Sequence, residues 1–275
     1  MAAQDDSTVA AWMSALEARH LAHLTRPELT RALRALSSCY VERRDRLARG
    51  AALDGEGKRA AFALFYAPIH FLTVARIVHA LDAQVLNLTS IVDLGCGTGA
   101  SGSAWALACD RPPALIGIDR HPWAVQEANW TYRQFGLRGR AQAGDVTTMS
   151  DRAGKTSGVL LAYTVNELAA DKRQVLLDQT ITRARRGATV LIVEPIARRV
   201  AGWWAEWTRG LGAAGARVDE WRFPGGLPPL LSEIASGAGL QPRELTARTI
   251  FVPATRARTE GRAVNREGRP PAAIG

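Results

Sequence analysis

The stretch Val92-Asp93-Leu94-Gly95-Cys96-Gly97-Thr98-Gly99 constrains this chain more than any other part of it. Three alternating glycines stand directly behind a short apolar run and ahead of a helix-forming segment. Glycine lets a backbone bend sharply and lets another group approach where a β-carbon would stand. The helix that follows has free N–H groups in its first turn. A strand, a glycine bend and a helix in this order predict an α/β fold with a mostly parallel sheet and helices on both faces.

The rest of the chain agrees. Ile91–Leu94, Ala114–Ile118, Gly158–Ala162 and Ala188–Val193 are short apolar runs suited to buried parallel strands. Helical patterns at Pro122–Phe135 and Glu167–Arg183 lie between them, and a helix with a stripe at Val200, Trp203, Trp204, Trp207 and Leu211 follows, its tryptophans fitting packing better than base stacking. Ala216–Phe223 and Leu245–Val252 read as strands around a short helix at Leu230–Ala235. Residues 1–88 form a helical lead-in: Val9, Trp12, Met13 and Leu16 fall on one helical side, and Thr25 to Glu28 has capping-box spacing. Lys58–Leu81 is apolar, and Pro68 is expected to break or kink it. The predicted division is a helical subdomain at 1–88, a ligand-binding domain at 89–254 and a basic disordered tail at 255–275.

Two cofactor readings compete for the bend. Gly97-Thr-Gly99-Ala-Ser-Gly102 fits the dinucleotide pattern, with Asp119 at 20 residues beyond Gly99. That pattern leaves Asp93 and Gly95 unexplained. The segment from Asp93 to Gly99 resembles motif I of the class I methyltransferases that use S-adenosylmethionine (SAM), and it implies their Rossmann-like fold, preceded here by the helical subdomain. The resemblance places Gly95, Cys96, Gly97, Thr98 and Gly99 under the methionine and ribose parts of SAM, with Asp93 ordering the loop and the amino group. Asp119, ending Leu115-Ile-Gly-Ile-Asp119 and followed by Arg120, would accept from the ribose hydroxyls. Asp145, in Ala143-Gly-Asp145-Val146, would accept from the adenine amino group.

On the acceptor side, Leu161-Ala-Tyr163-Thr-Val-Asn166-Glu167-Leu168 should put Tyr163, Asn166 and Glu167 at the carboxyl end of a strand, where ligands bind in such sheets. These three are the candidate catalytic residues, and Tyr163 should also touch SAM. Glu167 could instead stabilise a helix start. The segment lacks the Asn/Asp-Pro-Pro-Tyr/Phe tetrapeptide of the adenine- and glutamine-modifying members, which argues against those acceptors. Methyl transfer needs a base only when the nucleophile holds a proton with no easy exit; His70, Tyr163 or Glu167 could serve. A structural role for His70 competes with that.

Leu36-Ser37-Ser-Cys-Tyr40-Val-Glu-Arg43, Tyr66-Ala-Pro68, Tyr163 to Leu168 and Val193-Glu194-Pro195 loosely resemble the ribosomal small-subunit methyltransferase-like family. That family's cysteine cluster for an iron–sulfur centre has no counterpart after Cys109. Three cysteines fit neither a disulfide framework nor a thiol zinc site, so a metal is not expected and a reducing cytoplasm is. The opening residues carry acids where a secretory signal would be basic, and charge interrupts every apolar run of 18 residues, so no membrane span is expected. The net charge of +9 leans toward RNA. Much of it sits in five arginines after residue 255 and in a cluster from Arg31 to Arg49, which also suits a solvated surface. The acceptor is therefore RNA or a small molecule, and a SAM-binding ribosome-assembly factor without turnover is the alternative.

Overall fold

The structure, a computed structural model, describes residues 3–42, 53–148, 156–196, 202–240 and 243–254, without the side chains of 3–6 and 39–42. The arginines at 43–49, Val200 and the tail at 255–275 lie outside the described residues.

Helices α1 (Ala3–His20) and α2 (Arg26–Glu42) precede a long helix, α3, over Glu56–Ala80. The alternating part runs β1 (Ser90–Leu94), α4 (Ala100–Ala108), β2 (Ala114–Asp119), α5 (Pro122–Gln134), β3 (Gly139–Ala143), β4 (Ser157–Ala162), α6 (Ala170–Arg185) and β5 (Thr189–Glu194). Then come α7 (Gly202–Gly212), β6 (Arg217–Pro224), α8 (Pro229–Gly237) and β7 (Glu244–Val252). The predicted helix start at Glu167 gives way to a 3₁₀ turn over Val165–Glu167, and α6 begins at Ala170.

The strands form one sheet in the order β3-β2-β1-β4-β5-β7-β6. The first five are parallel; β7 runs against both β5 and β6. This is the Rossmann-like α/β architecture, a mostly parallel sheet behind a helical lead-in, that the motif implied. The chain leaves β1 for β2 and β3, then returns to β4 on the other side of β1. That reversal opens a crevice at the carboxyl ends of β1 and β4. β4 and β5 are buried along their whole length, as their unbroken apolar runs require of central strands. At the edge, β6 carries Arg217, Asp219, Glu220 and Arg222, charges that oppose further strand pairing.

The lead-in helices pack on one face of the sheet, in the same core as α4 and α5; α6 and α7 cover the other face, where Trp203, Trp204 and Trp207 are buried. Leu16, Leu29, Leu33 and Leu36 are at most 1% exposed. At about 1.5–3 kcal/mol each, their burial outweighs the ion pair from Arg19, 40% exposed, to Glu127 on α5. Apolar packing holds the lead-in to the sheet. The capping spacing at Thr25 is used: its N–H and hydroxyl both donate to the Glu28 carboxylate, at 2.8 and 2.7 Å.

Pro68 does not break α3. The five residues Phe62–Tyr66 form a π-turn in which the Ala67 N–H donates to the Phe62 carbonyl, five residues back. The wider turn absorbs the proline, which lacks an N–H and crowds the carbonyl of the preceding turn. α3 is long and apolar enough to cross a membrane by length and composition. Lys58, Arg59 and Arg76 interrupt its apolar run. Its side chains from Ala60 to Val78 instead fill the core, as a helix apolar on several sides must.

Candidate functional site

Gly97 sits at the outermost point of the bend with φ +52°, a conformation that favours glycine. A β-carbon there would stand 3.6 Å from the ring of Phe62 on α3. The Gly97 N–H donates to Asp119 Oδ2 at 2.9 Å, and Asp119 Oδ1 accepts from the His121 N–H at 2.8 Å. The tip of β2 therefore holds the bend directly. A carboxylate has about four lone-pair sites, so Asp119 retains acceptor capacity for a ligand's hydroxyls.

Asp93 lies behind the bend, 1% exposed, and accepts from the Gly102 N–H at 3.1 Å. A β-carbon on Gly102 would approach Asp93 Oδ2 to 2.7 Å. The third glycine of the dinucleotide-like pattern is thus required by the Asp93 carboxylate, which that pattern did not explain. Burial, eased by the Gly102 hydrogen bond, lifts Asp93 to about 7. Cys96 contributes backbone only: its thiol points into the core beside Tyr132, and Thr98 is buried. Val146 belongs to the core on the opposite face of the sheet. Arg120 is exposed.

Asp145 follows β3. Its Oδ1 accepts from the Thr147 N–H and hydroxyl, and its Oδ2 pairs with Lys172 on α6. Lys172 and the Thr147 bonds hold its carboxyl down at about 2.

At the tip of β4, the three candidate catalytic residues separate by what each already bonds. Tyr163 has φ +60°, rare for a side-chain-bearing residue and common where strain serves a site. Its phenol is hydrogen-bonded to Thr73, whose hydroxyl donates to the Ile69 carbonyl, and burial pushes its ionisation well above the usual range. Asn166 is committed at both ends: Nδ2 donates to Glu194 Oε2 at 2.6 Å, and Oδ1 accepts from Trp203 Nε1 at 3.0 Å. The Glu167 carboxyl makes no hydrogen bond among the described residues. Burial raises it to about 8, with the charges of Asp119 and Glu194 adding and that of Arg120 opposing.

Three further residues shape the site, none of which the sequence singles out for it. Thr164 donates to the Leu94 carbonyl at 3.0 Å, tying the tips of β4 and β1. Glu194, fully buried at the end of β5, accepts from the Val165 and Asn166 N–H groups and so clamps the turn that carries Glu167. Phe62 faces the bend. Only Glu194 left a trace in sequence, as a charged residue closing an apolar strand.

His70 on α3 stacks on Tyr163, with centroids 3.8 Å apart and planes 13° apart. Phe62 and Tyr66 each lie about 6 Å from it. Phe62, Tyr66, His70 and Tyr163 are all half-buried, whereas Ala63, Leu64, Phe65 and Phe71 on the same helix are buried. The four rings thus form one cluster that reaches the bend at Phe62, while Asp119 holds the same bend through the Gly97 N–H.

Residues 91–187, from within β1 to just past α6, match the family described as a methyltransferase domain. The match covers the β1-to-α6 part of the sheet and about a third of the chain. No curated protein matches it. Among solved structures, it is similar to YcgJ from Bacillus subtilis (14% identity, 66% of this chain and 96% of the other covered, TM-score 0.44). It is likewise similar to a SAM-dependent methyltransferase from Aquifex aeolicus (16% identity, 66% and 92% covered, TM-score 0.44). A third similar structure is the methyltransferase domain of bacterial CtHen1-C (12% identity, 68% and 99% covered, TM-score 0.47).

Proposed function

We propose that this chain is a methyltransferase that takes its methyl group from SAM and delivers it to a small molecule held beneath α3. The observation that carries the reading is the meeting, at one end of the sheet, of the Gly97 bend, the Asp119 carboxylate and the unbonded Glu167 carboxyl. A nucleoside sulfonium fits this set: a ribose suits the remaining lone pairs of Asp119, and a cation favours the ionised form of the Glu167 carboxyl. When bound, SAM supplies a methyl carbon made electrophilic by a positively charged sulfur. The residues of this chain bind and orient. Gly95, Gly97 and Gly99 keep the bend free of side chains, and Asp93 fixes it from behind. Asp145 would meet the adenine amino group, with Lys172 giving way.

Residues 1–88 then act as the acceptor-side cap and 89–254 as the donor domain. A roof of half-buried rings about 6 Å apart favours a small acceptor over a folded RNA. The ribosomal small-subunit likeness gains no support from the comparisons. A cytoplasmic setting goes with the free, buried thiols of Cys96 and Cys109.

Calorimetry with SAM and with NAD tests the donor. SAM binding is expected, and Gly97→Arg should abolish it, because an arginine at φ +52° is strained and fills the space under Phe62. Binding of NAD instead of SAM would overturn the reading. The RNA alternative rests on the charge of +9; it requires retention on ribosomal RNA that weakens steeply with salt.

A further inference from the structure

We propose that Phe62, Tyr66, His70 and Tyr163 form the acceptor subsite, that it takes a flat aromatic molecule bearing a hydroxyl group, and that His70 receives the hydroxyl proton as the methyl group is transferred. This rests on the donor reading above.

The argument starts from helical spacing. Phe62, Tyr66 and His70 recur every four residues, which aligns them along one side of α3. The π-turn widens the helix at that point and sets Phe62 against the bend, where the donor's reactive end is expected. Tyr163 extends the same surface from the sheet by stacking on His70. Four half-buried rings in one cluster leave edges and outer faces for another flat ring, and such pairs are favoured beyond the area they bury. An aliphatic acceptor would forgo those contacts.

The polar groups of the roof then decide which atom is methylated. The Tyr163 phenol is bound to Thr73, and the Tyr66 phenol is hydrogen-bonded to Ser37. His70 differs: it touches Phe62, Tyr66 and Tyr163 through its ring, and neither ring nitrogen has a hydrogen-bond partner among the described residues. Burial keeps the imidazole neutral by lowering it to about 3. A neutral imidazole has one nitrogen ready to accept a hydrogen bond, which orients a hydroxyl group. In the transfer, a lone pair of the acceptor oxygen forms the C–O bond while the C–S bond breaks. The electron pair of that bond stays on sulfur, leaving a thioether. The attacking oxygen turns strongly acidic as its bond to carbon forms, so even a weakly basic imidazole accepts its proton and then passes it to water.

The test uses the full chain and two readouts: SAM affinity by calorimetry, and SAM-dependent methylation of phenols and hydroxyquinolines beside aliphatic alcohols and amines of similar size. Methyl ethers of the aromatic probes are the expected products. His70→Ala should lower kcat for them at least 100-fold, the usual scale of acid–base assistance, while the Kd for SAM stays within about twofold, which also shows that the variant folds. Phe62→Leu should raise KM for the aromatic probes about tenfold. Equal or faster methylation of the aliphatic probes overturns the proposal, as do undiminished turnover in His70→Ala and binding of SAM without methylation of any aromatic hydroxyl. Absence of SAM binding in the unaltered chain would overturn the donor reading itself, and this proposal with it.

Discussion

The Glu167 carboxyl links donor binding to pH. It is raised to about 8 by burial first, then by the charges of Asp119 and Glu194, with Arg120 opposing. In the free protein at pH 7 it is therefore mostly protonated. A sulfonium brought into this crevice favours the ionised carboxylate, so binding should expel the proton. Each pH unit below the free-protein value then changes affinity by up to tenfold, about 1.4 kcal/mol. The Kd for SAM should fall steadily from pH 6 to pH 8 and level off above. Calorimetry in two buffers of different ionisation enthalpy should register up to one proton released per SAM near pH 7. S-adenosylhomocysteine, which lacks the sulfonium charge, should release less. Glu167→Gln should flatten the SAM profile while leaving a residue of the same shape. Asp93 and Glu194 are also raised, each to about 7, but Asp93 sits behind the bend and Glu194 is satisfied by Val165 and Asn166. If SAM and S-adenosylhomocysteine share one pH profile, or if Glu167→Gln leaves the profile for SAM unchanged, the sulfonium does not meet this carboxylate and the reasoning fails.

Three further outcomes are expected. Asp119→Ala removes the acceptor of two backbone N–H groups; it should weaken SAM binding at least tenfold and lower stability by about 1–3 kcal/mol, read by calorimetry and urea unfolding. Asn166→Ala strips a donor from buried Glu194 and the partner from Trp203 Nε1. It should cost about 2 kcal/mol in urea unfolding, and an unchanged midpoint would show that the clamp is dispensable. Without donor, the folded protein binds more protons than the unfolded chain between the ordinary carboxylate range and pH 8, because Asp93, Glu167 and Glu194 are raised. Stability is therefore fullest below that range and is lost as pH rises through 7 to 8; Tm should fall from pH 6 to pH 8.5, and SAM should restore it.

The local parts of this protein were legible because they obey short-range rules. The glycine bend, the apolar runs of β1, β2, β4 and β5 and the capping spacing at Thr25 each depend on neighbours within a few residues, and each formed where its pattern stands. Asp93 and Asp119 were legible for the same reason, since strand ends follow from strand positions.

Partnership across the chain was not written in any local pattern. Asn166 and Glu167 are adjacent and both polar, so sequence offered them as equals. Only the arrival of Glu194 from β5 and Trp203 from α7 occupies the first and leaves the second unbonded. The same holds for the roof. Phe62 reads as one more apolar helix residue, and Pro68 as a break, until a five-residue turn absorbs the proline and brings that ring over a bend 35 positions away. The sheet order is likewise tertiary: β7 enters between β5 and β6 because an antiparallel strand there pairs both neighbours, which spacing along the chain cannot express. Local chemistry determined which elements form; packing decided which of their side chains remain free to act.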